Sequence, residues 1–284
     1  FFEDHLIKAG LNPVDHMLFV TDPGSPLDLQ TRAAGFTVIN ADPNVGGRFS
    51  ALSIFGLLPS ALLGVDCAEL LDDAADMKAI LAAPVINGEM NPAIALVHQI
   101  ISNEPFLRLP SDPLSDWIEQ LVAESTGKDG RGIVPVITQI ADEHLPREIN
   151  KALDSARLGA NFYLWEWATA LLGFAIGVNP FDQPNVASAK EATNNALRNG
   201  AVLGADALRN AGDASKAIRD LVAKTSMQDN HYCALLAFTP LRDPSARDAI
   251  YQLRDGLAEA LMANTTLGFG PRYLHSTGQC HKGG

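Results

Sequence analysis

Three short runs in this chain hold the residue types that chemistry uses. In "NVGGRFS", residues 44–50, Arg48 follows Gly46 and Gly47, so a guanidinium of fixed geometry stands beside backbone that another group can approach closely. In "EQLVAESTGKDGRG", residues 119–132, Glu124 falls at the end of a helical pattern, Gln120 lies one turn earlier on the same face, and a glycine-rich loop follows. In "NPFDQPNVASAK", residues 179–190, a proline-bounded loop offers Asp182 and Gln183, and a helical pattern after it carries Lys190. A helix-end carboxylate can move a proton and a fixed cation can hold a developing negative charge. Each run alone also has an ordinary reading: a glycine turn with a surface arginine, a solvated glutamate, a capping loop with an exposed lysine.

One tempting motif fails. The "STGK" of the second run looks like a phosphate-binding P-loop, but that loop needs a glycine five positions before Gly127, where Val122 stands, and Ser or Thr after Lys128, where Asp129 stands. Cys67, Cys233 and Cys280 are odd in number and widely spaced, so neither a disulfide framework nor a zinc site is suggested. No metal and no cofactor are expected.

The elements that must position these residues alternate. Residues 17–21 and 36–40 are short apolar runs with a helix-length segment between them, which predicts a β-α-β unit. Helical patterns follow at 50–65, from Cys67 onward, and at 92–101 with Asn91 as cap. Pro110, Asp112 and Pro113 then punctuate the chain, and a domain boundary is expected there. Beyond it come a helix over 114–125, a strand over 133–137, an apolar helix over 162–178, an Ala/Asn-rich helical stretch over 187–223, a strand over 232–238, a helix after Asp243-Pro244 and an extended segment over 265–270. Strands alternating with helices predict parallel sheets covered on both faces.

The bulk numbers set limits. A chain of 284 residues, 47% hydrophobic and 19% charged, is an ordinary globular composition, large enough for one big or two modest domains. A net charge of −12 and a pI near 4.9 argue against a nucleic-acid surface. The apolar run 162–178 contains Glu166 and ends in Asn179-Pro180, which marks a buried helix rather than a membrane span. The opening "FFEDHLIKAG" has no basic region and no small-residue cleavage site, so no signal peptide is expected. A reducing cytoplasm fits the cysteines.

Taken together and in this order, "NVGGRFSALS", "ESTGK" and "NPFDQPNV...K" resemble three blocks of the glucose-6-phosphate isomerase family. The phrases "WIEQLVAESTGKDGRGIVPV" and "TTLGFGPRYLHSTGQCHKGG" are most similar to the isomerase half of bacterial bifunctional transaldolase/glucose-6-phosphate isomerases, and the resemblance covers nearly the whole chain. It implies a three-layer α-β-α sugar-isomerase fold with parallel sheets and two subdomains, 1–110 and 111–284. It also implies interconversion of glucose 6-phosphate and fructose 6-phosphate through an enediolate. In that resemblance Glu124 is the base, Arg48 stabilises the enediolate, and Gly47 lets the sugar approach. Gln120 and Gln183 bind hydroxyls, and Lys190 assists ring opening. The implied partners are a sugar phosphate, a second copy in a homodimer and a transaldolase domain fused upstream; no nucleic acid and no membrane are implied.

Departures from the family pattern shape the remaining expectations. The family's Ser/Thr-rich phosphate loop lies upstream of the strand that begins here at Met17, where only "FFEDHLIKAGLNPVDH" stands. The chain is therefore expected to be a piece shortened at both ends. The ring-opening histidine has three candidates, His144, His275 and His281, of which His275 in "LHSTGQ" is preferred. Ala187 stands where many relatives carry a glutamate. Three alternatives remain: a sugar-phosphate-binding module of the same fold without turnover, an inactive fragment, and a nucleotide-binding oxidoreductase domain, whose G-x-G-x-x-G after a strand is absent.

Overall fold

The first β-α-β unit forms where alternating apolar runs predict it. A computed structural model describes residues 1–86, 88–138, 146–153, 155–182, 184, 191, 193–195, 197–198, 211–225, 231–239 and 243–284. Two compact units divide the chain: Phe1–Ala79 with Ala156–Tyr163, and Ile80–Ser155 with Leu164–Gly284.

In the first unit two short helices, α1 (Phe2–Lys8) and α2 (Pro13–His16), precede strand β1 (Leu18–Thr21). Helix α3 (Pro26–Ala33) crosses to β2 (Thr37–Asn40), which pairs parallel with β1 in the register Leu18 to Thr37. Ser25 caps α3 by accepting from the amide of Asp28 at 3.1 Å, and Pro26 occupies the first turn, where no N–H is required. A 3-10 turn over Gly47–Phe49 follows β2. Helix α4 spans Ile54–Leu62, shorter than the 50–65 its apolar pattern predicts. The Ser50 hydroxyl is turned back onto the Gly47 carbonyl at 2.6 Å, and Ser53, not Ser50, caps the helix through the amide of Phe55. Helix α5 (Cys67–Leu81) leads into the second unit.

The second unit opens with an antiparallel pair, β3 (Val85–Ile86) and β4 (Glu89–Met90), too short for a periodicity to reveal. Asn91 then caps α6 (Pro92–Ile101) as expected, and its amide also donates to the carbonyls of Leu81 and Ala83. The next strand, β5 (Phe106–Pro110), lies where the proline-rich sequence reads as punctuation. Leu107 and Leu109 are buried while Arg108 between them faces out, the period-2 pattern of a half-buried strand, and Pro110 comes only at its end. Helix α7 (Pro113–Thr126) crosses from β5 to the parallel partner β6 (Val134–Thr138), capped by Asp112 through the amide and hydroxyl of Ser115 at 2.9 and 2.8 Å.

After α8 (Arg147–Lys151) comes the apolar helix α9 (Leu158–Ile176), stopped by Gly177 in the left-handed region and by Pro180. Among the described residues no helix is long and apolar enough to cross a membrane. Of the Ala/Asn-rich stretch, Ala211–Thr225 forms α10, and residues 185–190 and 199–210 are outside the described residues. Strand β7 (Tyr232–Ala237), helix α11 (Pro244–Leu261) and strand β8 (Asn264–Phe269) make a third parallel β-α-β unit, and β8 lies beside β6. A 3-10 turn over Arg272–His275 and the short helix α12 (Gly278–Gly283) complete the chain.

The architecture is α/β with parallel strands, as alternation predicts; each sheet among the described residues has two strands. The core of the second unit gathers Leu107, Leu109, Ile118, Leu121, Val122, Val136, Trp165 and Leu172, all at most 1% exposed. It fixes α7, the helix that carries Gln120 and Glu124.

Candidate functional site

Helix α7 is amphipathic in an unusual way at its C-terminal end, where residues 121–126 are all buried, polar ones included. Glu124 lies there at 7% exposure, and the Gln120 amide one turn earlier donates to its Oε2 at 3.3 Å. The expected shared face is therefore an actual pairing, and it gives the carboxylate a fixed orientation.

The loop after α7 explains its glycines. A Cβ on Gly127 would come 2.3 Å from the Cα of Cys280, so only glycine lets α12 settle against this turn. Gln279, fully buried, donates from Nε2 to the Gly127 carbonyl at 3.0 Å, and the amide of Gly130 donates to the Gly283 carbonyl at 2.8 Å. The "STGQC" segment thus clamps the turn that follows Glu124.

Lys128, set aside with the failed P-loop, is one of the most buried charged groups among the described residues, at 2% exposure. Its ammonium donates to the carbonyl of Asn179, to that of Asp182 at 2.5 Å and to Asp182 Oδ1 at 2.7 Å. Three acceptors match the three donors of an ammonium, and they offset the cost of removing the charge from water. Arg131 adds a bond from Nη1 to the Ile176 carbonyl at 2.7 Å. The second and third sequence runs are therefore joined at Lys128 and Asp182. Spacing carries no sign of this pairing, because the partners lie 54 residues apart.

In the first unit, Arg48 sits in the 3-10 turn beyond the carboxyl end of β2, 5% exposed, with its guanidinium carbon 5.4 Å from the centre of the Phe49 ring. Neither Gly46 nor Gly47 has positive φ, and a Cβ on either would meet no protein atom within 4 Å. Backbone strain is thus not the reason for these glycines, and the backbone there is open to approach.

The histidines divide. His275 is exposed, and its side chain makes no hydrogen bond among the described residues. His281 Nδ1 lies 2.9 Å from the Tyr232 hydroxyl with the rings stacked, and burial holds its pKa below the usual value. Beside it the Cys280 thiol is pushed up to about 11 by burial, which keeps it protonated. Gln183, Lys190 and His144 lie outside the described residues. Among the described residues no group of three or more His, Cys, Asp or Glu could hold a metal ion.

No family model matches the chain. The chain is similar to glucose-6-phosphate isomerases. The enzyme of that name from Carboxydothermus hydrogenoformans is 37% identical over 132 residues, 43% of this chain and 28% of the relative. That from Lactobacillus delbrueckii subsp. bulgaricus is 33% identical over 120 residues, 38% and 26% of the two chains. A longer match, to the enzyme of Shouchella clausii, is 24% identical over 273 residues and covers 67% of this chain and 60% of the relative. The chain thus spans between about a quarter and three-fifths of the length of these relatives. Among solved structures, a hypothetical protein from Thermus thermophilus matches with a TM-score of 0.53 and 24% identity, over 69% of this chain and 65% of that one. That likeness bears on the fold alone, and it agrees with the α/β architecture.

Proposed function

We propose that this chain carries an aldose-ketose isomerase site that interconverts glucose 6-phosphate and fructose 6-phosphate, with Glu124 as the base. The observation that carries the reading is the buried carboxylate of Glu124, held by Gln120 at 3.3 Å at the end of α7. Similarity to enzymes named glucose-6-phosphate isomerase supports the substrate.

The reaction moves a proton between C2 and C1 of the open sugar, and one carboxylate can take it from one carbon and return it to the other. As the proton leaves, negative charge develops on the enediolate oxygen. In this reading Arg48 supplies the cation that meets that charge, the kind of stabilisation that lowers such a barrier. Gly47 gives the sugar room, Gln120 and Gln183 bind hydroxyls, and Lys190 and His275 serve ring opening. Lys128 holds the 179–182 loop against the end of α7.

The test is Glu124→Gln, which keeps size and hydrogen bonding but cannot accept a carbon-bound proton. Isomerisation, followed by coupled formation of glucose 6-phosphate, is expected to fall by roughly a thousandfold or more, at the upper part of what a general base supplies. Sugar-phosphate affinity by titration calorimetry should remain within about threefold. Activity close to that of the parent would remove Glu124 from the chemistry.

A further inference from the structure

One cavity of the second unit is untouched by this reading. It has a volume of about 290 Å³ and opens at the carboxyl ends of β6 and β8, where Ile137 and Phe269 border it, the end of a parallel sheet at which ligands bind. Helix α7 supplies one wall through Asp116 and Glu119, which lie before Glu124 in the helix; neither Gln120 nor Glu124 lines the cavity.

Its charge is divided by wall, and one ion pair already joins the walls, with Arg272 Nη1 3.5 Å from Asp116 Oδ2. The acidic groups, Asp112, Asp116 and Glu119, all belong to α7 and its cap, and the basic groups, Arg254 and Arg272, come from α11 and the turn after β8. Asp112 is spent on capping. The Glu119 carboxyl accepts no hydrogen bond among the described residues, and burial, reinforced by Asp116 and opposed by Arg272, pushes its pKa up to about 7. Arg254, 7% exposed, donates from Nε to Asp255 and from Nη1 to the Ile137 carbonyl, while its Nη2 has no protein acceptor among the described residues. Tyr251, Phe269 and Tyr273 add aromatic surface, with the rings of Tyr251 and Phe269 6.0 Å apart.

A cavity with an unsatisfied carboxyl on one wall and an unsatisfied guanidinium edge on the other matches a ligand that bears both charges. With Asp116 and Arg272 paired to each other, an anion alone would still meet the Glu119 carboxyl, and a cation alone would meet Arg254. The volume lies at the small end of the roughly 300–1,000 Å³ typical of small-molecule pockets. We propose that this cavity is a second binding site, separate from Glu124, for a small aromatic α-amino acid whose carboxylate meets Arg254 and whose ammonium meets Glu119.

The experiment reads binding rather than turnover, so its outcome is independent of the isomerase reading. Titration calorimetry of the full chain with L-phenylalanine should give a Kd below about 1 mM. The two half-charged analogues, 3-phenylpropionate and phenethylamine, should each bind at least about tenfold more weakly, because each leaves one wall unpaired. Glu119→Gln should weaken L-phenylalanine at least about tenfold while leaving the melting temperature of the unliganded protein within about 2 °C. Failure of L-phenylalanine to bind, equal binding of either analogue, or full affinity in Glu119→Gln would each overturn the proposal.

Discussion

Arg48 is the residue whose placement asks most of its surroundings. A guanidinium cannot shed its charge, so its burial at 5% exposure demands compensation, part of which is the Phe49 ring beneath it. If its role is to hold the enediolate oxygen, Arg48→Lys should lower kcat roughly a hundredfold with a smaller change in KM, since lysine keeps the charge but loses the planar fork. Steady-state kinetics from fructose 6-phosphate measure both. An unchanged kcat with a raised KM would make Arg48 a substrate clamp instead. At this scale the sequence is legible where interaction is local: Gln120 and Glu124 stand four apart on a helix and do meet. Lys128 and Asp182 were not legible as a pair, because what joins them is the burial of an ammonium, which no spacing encodes.

Among the elements, α9 carries an inconsistency that titration should expose. Its Trp165 and Leu172 are fully buried, yet the same helix holds Glu166, whose Oε1 is buried without a hydrogen-bond partner among the described residues, and Thr169, whose Oγ1 is in the same condition. Burial raises the Glu166 pKa from 4.5 to about 8. Between those values the folded chain holds a proton that the unfolded chain has released, so the contribution to stability is full below about pH 4.5 and is lost as pH rises through about 8. Glu166→Gln keeps the shape and removes the titration. Its melting temperature should gain on the parent by roughly 2 °C or more at pH 8 relative to pH 5, as read by calorimetry at the two pH values. An equal difference at both would show that Glu166 is charged in the folded state throughout. The helix itself was plain from its apolar run, as were α6 from its Asn91 cap and α7 from its helical pattern, whereas the α7 cap, Asp112, reads in sequence as punctuation. Strand β5 was hidden because Pro110 and Pro113 look like breaks when the buried pair Leu107 and Leu109 is short.

Across the whole molecule, apolar burial is unevenly shared between the two compact units. Every buried leucine, isoleucine, valine and tryptophan among the described residues belongs to the second. Apart from Pro13, the buried apolar residues of the first are Ala41, Ala74 and Ala160, while Phe1, Phe2, Ile7, Leu29, Leu62 and Leu63 are each more than half exposed. A fully buried large aliphatic side chain contributes about 1.5–3 kcal/mol, and an alanine far less, so the first unit has much the weaker drive to stay folded. Local opening follows local stability. In hydrogen exchange read by mass spectrometry, amides of β1 and β2 are expected to exchange at least about tenfold faster than those of β5 and β6, although both pairs are parallel and hydrogen-bonded in the same manner. Titrating protein concentration in the same experiment separates two causes. Slow exchange in β1 and β2 that fades on dilution would mean that a second copy covers the exposed apolar residues of the first unit. Slow exchange at every concentration would mean that apolar burial does not set the stability of this unit, and its buried polar groups, Asp28, Thr31 and Arg48 among them, would have to account for its stability.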